Sequence, residues 1–148
     1  MKAITATWFE CKVRYENGLQ KKETEQYVVD ALSFSEAEKR IIEEMAAYIS
    51  GEYEITDVKK AQYKDIFFSD RAEDDRWYKA KLQFITIDER TEKEKRTNVT
   101  YLVQAASLDQ AVRNINEVMS GTMIDYDKSN IAETKILDVF QYEEVKSE

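Results

Sequence analysis

From Trp8 to Tyr15 the chain alternates, with Phe9, Cys11, Val13 and Tyr15 on one side and Trp8, Glu10, Lys12 and Arg14 on the other. A period of two with aromatic and branched residues predicts a half-buried strand. Asn17-Gly18 supplies a tight hairpin turn, and the returning strand runs from about Thr24 to Ala31. Ser33-Phe34-Ser35-Glu36 then reads as a capping box, the Ser33 oxygen accepting from the Glu36 amide while the Glu36 carboxylate reaches back. Phe34, Ala37, Ile41, Met45 and Tyr48 follow at three- and four-residue spacing, one apolar stripe of a helix. Ser50-Gly51 closes it, with glycine suited to a left-handed cap. A third strand, with room for a break inside it, spans about Tyr53 to Phe68.

The chain then repeats this pattern. Trp77-Tyr78-Lys79-Ala80-Lys81-Leu82 echoes Trp8-Phe9-Glu10-Cys11-Lys12-Val13, Tyr101 to Met119 echoes Tyr27 to Met45, and Asp138-Val139-Phe140 echoes Asp65-Ile66-Phe67. Tyr78, Ala80, Leu82 and Phe84 form the second inward face, and Asp88 to Lys95 makes a longer polar turn. Ser107-Leu108-Asp109-Gln110 is a second capping box, and Leu108, Ala111, Ile115 and Met119 make a second stripe ending at Ser120-Gly121. A last strand covers about Ser129 to Tyr142. The offset between copies is 69 residues at the tryptophans, 74 through the helices and 73 at the final phenylalanines. Length changes therefore fall in loops.

Self-similarity of this kind sets the architecture. The expectation is an α+β single domain over 1–148, with repeat one at 7–69 and repeat two at 76–142. Each repeat is strand-strand-helix-strand and has too little core to stand alone. A pseudo-twofold joining both into one antiparallel-rich sheet, with both helices on one face, solves that problem. A ferredoxin-like arrangement is the rival.

Composition narrows the chemistry. With 30 acidic and 22 basic residues, the net charge of -8 argues against a general duplex-DNA or anionic-membrane binder. No apolar run approaches the roughly 18 residues of a membrane span, and the opening residues lack a signal-peptide core, so a cytoplasmic location is expected. The chain has no histidine, which excludes Ser-His-Asp, Cys-His and His-zinc chemistry. The single Cys11 aligns with Ala80 and reads as a buried core thiol. Gly18, Gly51 and Gly121 are too far apart for a phosphate-binding loop. No catalytic residue, metal ligand or cofactor is assigned.

The string Trp-Phe-Glu-Cys-Lys-Val-Arg-Tyr at 8–15, the segment Tyr27 to Met45, and the stretch from Asp65 through Asp70-Arg71 to Asp75-Arg76-Trp77 resemble an uncharacterised family of similar length. Its members come from Bacteroides-group bacteria and their phages. The resemblance implies a bacterial or phage protein, a host-interacting role in the phage case, and no transferable activity.

Three sets of residues are candidates for binding. Trp8, Lys12, Trp77 and Lys81 share the strand face turned from the helices, where aromatics beside lysines suit a protein hot spot or stacked bases. The bland alternative buries each tryptophan at a strand end beneath a neighbouring segment. Asp65 and Asp138 hold matching places; they read as carboxylates capping strand amides, or as a ligand-binding pair. The acidic joint with Asp70, Glu73, Asp74 and Asp75 reads as solvated linker. The expected function is a non-catalytic protein-binding module, a homodimer working through a sheet face or edge. The alternatives are a small-ligand or nucleotide-sequestering protein and a single-stranded nucleic-acid binder.

Overall fold

The computed structural model describes residues 7–16, 18–19 and 21–142. Its elements are β1 (Thr7–Glu16), β2 (Lys22–Ala31), α1 (Phe34–Tyr48), β3 (Tyr53–Ala61), β4 (Asp65–Phe67), β5 (Arg76–Ile87), β6 (Glu94–Ala105), α2 (Leu108–Ser120), β7 (Asp125–Glu133) and β8 (Ile136–Phe140). The fold is α+β, as the two periodicities imply. Asn17 of the expected first turn lies outside the described residues.

Two compact units result, one holding residues up to Gln62 together with those from Lys135 onward, the other spanning Tyr63–Thr134. The first carries a sheet of order β3-β1-β2-β8, the second a sheet of order β4-β6-β5-β7. The single sheet bearing both helices is therefore corrected: each sheet packs its own helix. In the first, Phe9, Cys11, Val13, Tyr27 and Val29 meet Ala37, Ile41 and Met45 of α1. In the second, Tyr78, Ala80, Leu82, Tyr101 and Val103 meet Ala111, Ile115 and Met119 of α2.

The short strands explain why the sheets do not need to merge. β4 lies parallel to β6, with Asp65 beside Tyr101 and Phe67 beside Val103. β8 lies parallel to β2, with Asp138 beside Tyr27 and Phe140 beside Val29. Each Asp-Ile/Val-Phe strand thus completes the sheet built from the other sequence copy. Phe67 stacks on Tyr101 with ring centres 5.0 Å apart, and Phe140 on Tyr27 at 5.7 Å, a geometry that adds to simple area burial.

The outer edges β3 and β7 are bulged at matching places. Register shifts leave Thr56 and Ser129 as extra residues, and their hydroxyls donate to the Lys12 and Lys81 carbonyls at 3.4 and 3.0 Å. Bulges increase local twist and spoil an edge as a template for further strands.

Both predicted N-caps are present: Ser33 Oγ accepts from Glu36 N at 3.1 Å and Ser107 Oγ from Gln110 N at 3.2 Å. The glycine caps differ from expectation. Ile49 is the first C-cap and donates to the Met45 carbonyl at 2.8 Å. Gly121 caps α2 at φ -87°, while Met123 takes the positive φ of 57°. With helix-end carbonyls already bonded, neither Gly51 nor Gly121 has to turn left-handed.

Candidate functional site

The sequence-selected residues divide between the units. Trp8 and Lys12 sit half-buried on β1, Lys81 is exposed on β5, and Trp77 is buried at 2% exposure. Trp77 makes an edge-to-face contact with Phe68, ring centres 5.4 Å apart, and its carbonyl accepts from both the Thr134 amide and hydroxyl. It therefore presents no binding surface, which corrects its placement beside Lys81 on an open face. The physical signal was available: Phe67-Phe68 gives the chain an extra aromatic just before the joint.

Asp65 and Asp138 are exposed, one in each unit. Asp65 Oδ1 accepts from Ile66 N at 2.8 Å and Asp138 Oδ1 from Val139 N at 2.8 Å. Each carboxylate thus accepts from the amide of the next residue in its own strand, as the capping alternative requires. Each also opposes ionisation of its paired tyrosine: burial is the leading cause of the raised pKa of Tyr101 and of Tyr27, Glu25 comes next for Tyr27, and the paired aspartate adds to both.

Asp74 departs from the solvated-linker reading. It is buried at 2% exposure, accepting from Ser69 Oγ at 2.5 Å and from Ala106 N at 2.9 Å. Cys11 is fully buried, and desolvation, with Asp57, Glu10 and Glu38 adding negative charge, pushes its thiol up to about 12. A thiol held protonated is a poor nucleophile. Among the described residues no group of three or more His, Cys, Asp or Glu is placed to hold a metal ion, and no helix is long and apolar enough to cross a membrane.

The concave surface of the first unit lies where α1 meets the edge strand β3. Ile42 on α1 is 42% exposed and, with half-buried Tyr53 and Ile55 and exposed Glu38, lines an open groove of about 360 Å³. Tyr53 Oη donates to the Ile42 carbonyl at 3.2 Å, fixing the ring across the groove. Beyond Tyr53 lies a second concavity of about 660 Å³ lined by Arg14, Tyr15, Lys22, Glu52 and Glu54, among others. Its walls are set by an Arg14–Glu54 ion pair and by Tyr15, which donates to Glu25. That bond is the main reason the Tyr15 phenol is pushed up to about 12. Tyr27 Oη donates to the same carboxylate at 2.7 Å.

At the matching place in the second unit a polar contact replaces the apolar residue. Asn116 stands where Ile42 stands in the first copy, and Tyr126 Oη donates to Asn116 Oδ1 at 3.3 Å. One copy therefore keeps an exposed isoleucine where the other keeps a bonded amide. Sequence periodicity missed this groove because Ile42 falls outside the apolar stripe and reads as an isolated surface residue. Comparing the copies at that position supplies the signal.

The chain belongs to the family described as Domain of unknown function (DUF4494), whose model matches residues 7–142. No curated protein matches the chain.

Proposed function

We propose that this protein is a non-catalytic protein-binding module whose first unit receives a basic, apolar-anchored segment of a partner in the α1–β3 groove. The observation that carries this reading is the Ile42–Tyr53–Ile55 groove, apolar in one copy and replaced by the Asn116–Tyr126 bond in the other. An apolar anchor beside a fixed aromatic is the usual centre of an interface hot spot. Glu38 at the groove and Glu52 at the neighbouring concavity, in a chain of net charge -8, favour lysine or arginine flanking that anchor. The bulges at Thr56 and Ser129 favour side-chain docking over strand addition at those edges. The bacterial or phage cytoplasm implied by the family resemblance is the proposed setting.

The reading as a binder rather than an enzyme rests on the chemistry of the side chains. Histidine is absent, Cys11 is held as a buried thiol, and the two candidate carboxylates bond strand amides.

Ile42→Asn tests the site by giving the first copy the residue of the second. A partner recovered in stoichiometric amount with the wild-type protein should bind the variant at least tenfold more weakly, with its melting temperature unchanged within about 2 °C. Cross-links from the partner should fall on a lysine- or arginine-rich segment. Equal affinity of the two proteins for that partner would remove the groove from the function.

A further inference from the structure

The two units differ at a second matching place, and there the difference is a missing aromatic ring. In the first unit Tyr142 follows β8 and lies along the end of β2 and the adjoining turns of α1. Its amide donates to Asp30 Oδ1 at 2.7 Å, the Arg40 guanidinium lies 4.7 Å from its ring centre, and its hydroxyl donates to Glu44. In the second unit Ser69 follows β4 in the same register, and its amide donates to Gln104 Oε1 at 2.9 Å. Gln104 matches Asp30, so the backbone anchor is retained in both units.

The side chains around that anchor have changed together. Ser69 replaces Tyr142, Asn114 replaces Arg40 and Val118 replaces Glu44. The serine hydroxyl is drawn to Asp74 at 2.5 Å. What remains is a cavity of about 310 Å³ whose lining includes Phe67, Phe68, Gln104, Gln110, Asn114 and Val118. Its amide wall is held in place: Gln110 Nε2 donates to Asn114 Oδ1 at 2.7 Å, and Asn114 Nδ2 donates to the Gln104 carbonyl at 2.9 Å. Phe68, 45% exposed, is steadied by its edge contact with Trp77. Loss of the tyrosine alone would have left an arginine and a glutamate facing solvent. Exchanging all three positions leaves a pre-set recess with an aromatic wall and an amide wall, with Asp70, Arg71 and Glu117 also in its lining.

We propose that this recess binds a free small molecule whose core is a neutral aromatic ring bearing a hydrogen-bonding substituent, in the place where Tyr142 sits in the first unit. The volume lies at the lower end of the roughly 300–1,000 Å³ of small-molecule sites, enough for one ring and its substituents. Van der Waals contact would come from Phe67, Phe68 and Val118, and orientation from the Gln104, Gln110 and Asn114 amides. A wall already ordered by its own hydrogen bonds loses little freedom on binding. The site is separate from the α1–β3 groove and does not depend on it.

The probe is p-cresol, the tyrosine side chain without its backbone, followed by amide NMR titration of the full chain. Saturable shifts centred on Ser69, Asn114 and Val118 are expected. Ser69→Tyr, which supplies the ring covalently, should weaken the titration at least tenfold. Because that change also removes the hydroxyl from Asp74, Val118→Phe serves as a second variant that fills the recess from the helix side and should weaken it similarly. Trp77 emission reports that each variant is folded. Absence of shifts, or shifts unchanged in both folded variants, would overturn the proposal. A blocked Gly-Tyr-Gly peptide is the second arm: weaker binding than p-cresol supports a free molecule, and tighter binding overturns it by assigning the recess to a partner's tyrosine.

Discussion

Tyr142 and Asp30 are 112 residues apart in the chain, yet the amide of exposed Tyr142 donates to Oδ1 of buried Asp30 at 2.7 Å. Asp30 also faces Arg40 Nη1 at 3.5 Å, and the same guanidinium nitrogen donates to the Asp30 carbonyl at 2.6 Å. One side chain thus ties the segment after β8 to both β2 and α1. Gln104 repeats the amide contact with Ser69 in the second unit without the charge.

The charge on Asp30 should therefore matter in addition to its oxygen. Asp30→Ala removes the acceptor of the Tyr142 amide and one ion-pair partner of Arg40, which keeps the residue-30 carbonyl and Glu36 at 3.2 Å, and is expected to cost about 2 kcal/mol. Asp30→Asn keeps an acceptor and should cost about half as much. Gln104→Ala removes one neutral bond and should cost about 1 kcal/mol. Urea unfolding of the three variants tests that order, and equal losses would show that the ion pair adds nothing.

The backbone N–H just before each N-cap gives a second comparison. Leu32 N donates to Glu36 Oε1 at 2.9 Å, whereas the matching Ala106 N donates to Asp74 Oδ1 at 2.9 Å. Gln110, in the place of Glu36, instead bonds Asn114. Glu36→Ala should accordingly weaken the first unit by about 1 kcal/mol, the ordinary scale of a lost cap. Asp74→Ala also frees the Ser69 hydroxyl in a buried place and should cost about 2–3 kcal/mol. Hydrogen exchange should show faster opening at the start of α1 in the first variant and of α2 in the second.

The two tryptophans should behave differently despite their matching sequence. Trp77→Ala empties a buried site against Phe68 and should cost about 3–5 kcal/mol. Trp8→Ala, at a half-buried position, should cost less than half of that. Acrylamide should quench Trp8 emission more than Trp77 emission in single-tryptophan variants. Similar quenching of both would contradict their unequal burial.

Much of the fold was legible because it is written locally. The alternation at Phe9, Cys11 and Val13, the Ser33 and Ser107 boxes and the stripes through Ile41 and Ile115 depend on neighbouring residues, and each element lies where they place it. The destination of Asp65-Ile66-Phe67 was not legible, because a three-residue strand carries no mark of which sheet it joins. The second buried face was missed for a different reason. Val28 and Leu102 interrupt the alternation of β2 and β6, and both are fully buried on the face turned from the helices. Continuous apolar runs such as Tyr27-Val28-Val29 and Tyr101-Leu102-Val103 indicate strands covered on both faces. The groove and the recess were legible only as differences between copies, at Ile42 against Asn116 and at Tyr142 against Ser69. Likeness located the fold, and the departures from likeness located the candidate sites.

Cys11 sets the response to alkali. Its thiol, ordinarily near 9, is pushed up to about 12 by burial and then by Asp57, Glu10 and Glu38. Below about pH 9 it is protonated in both folded and unfolded chains and has no pH-dependent effect. Between about 9 and 12 the unfolded chain sheds the proton and the folded chain keeps it. Unfolding then gains free energy, and stability falls as pH rises, by up to about 1.4 kcal/mol per pH unit for one such group. Tyr27, raised by burial and by its bond to Glu25, adds a fall of the same sign from its own ordinary value near 10 upward. Cys11→Ala removes the first component, and the fully buried Ala80 shows that alanine suits the matching place on β5. The variant should be less stable than the wild type by about 1 kcal/mol at pH 7, and the gap should shrink and reverse as pH climbs from 9 to 11. Denaturant melts across that range, with iodoacetamide labelling to show that the native thiol stays unreactive, measure both. A gap that stayed constant with pH would mean that Cys11 does not ionise on unfolding in this range.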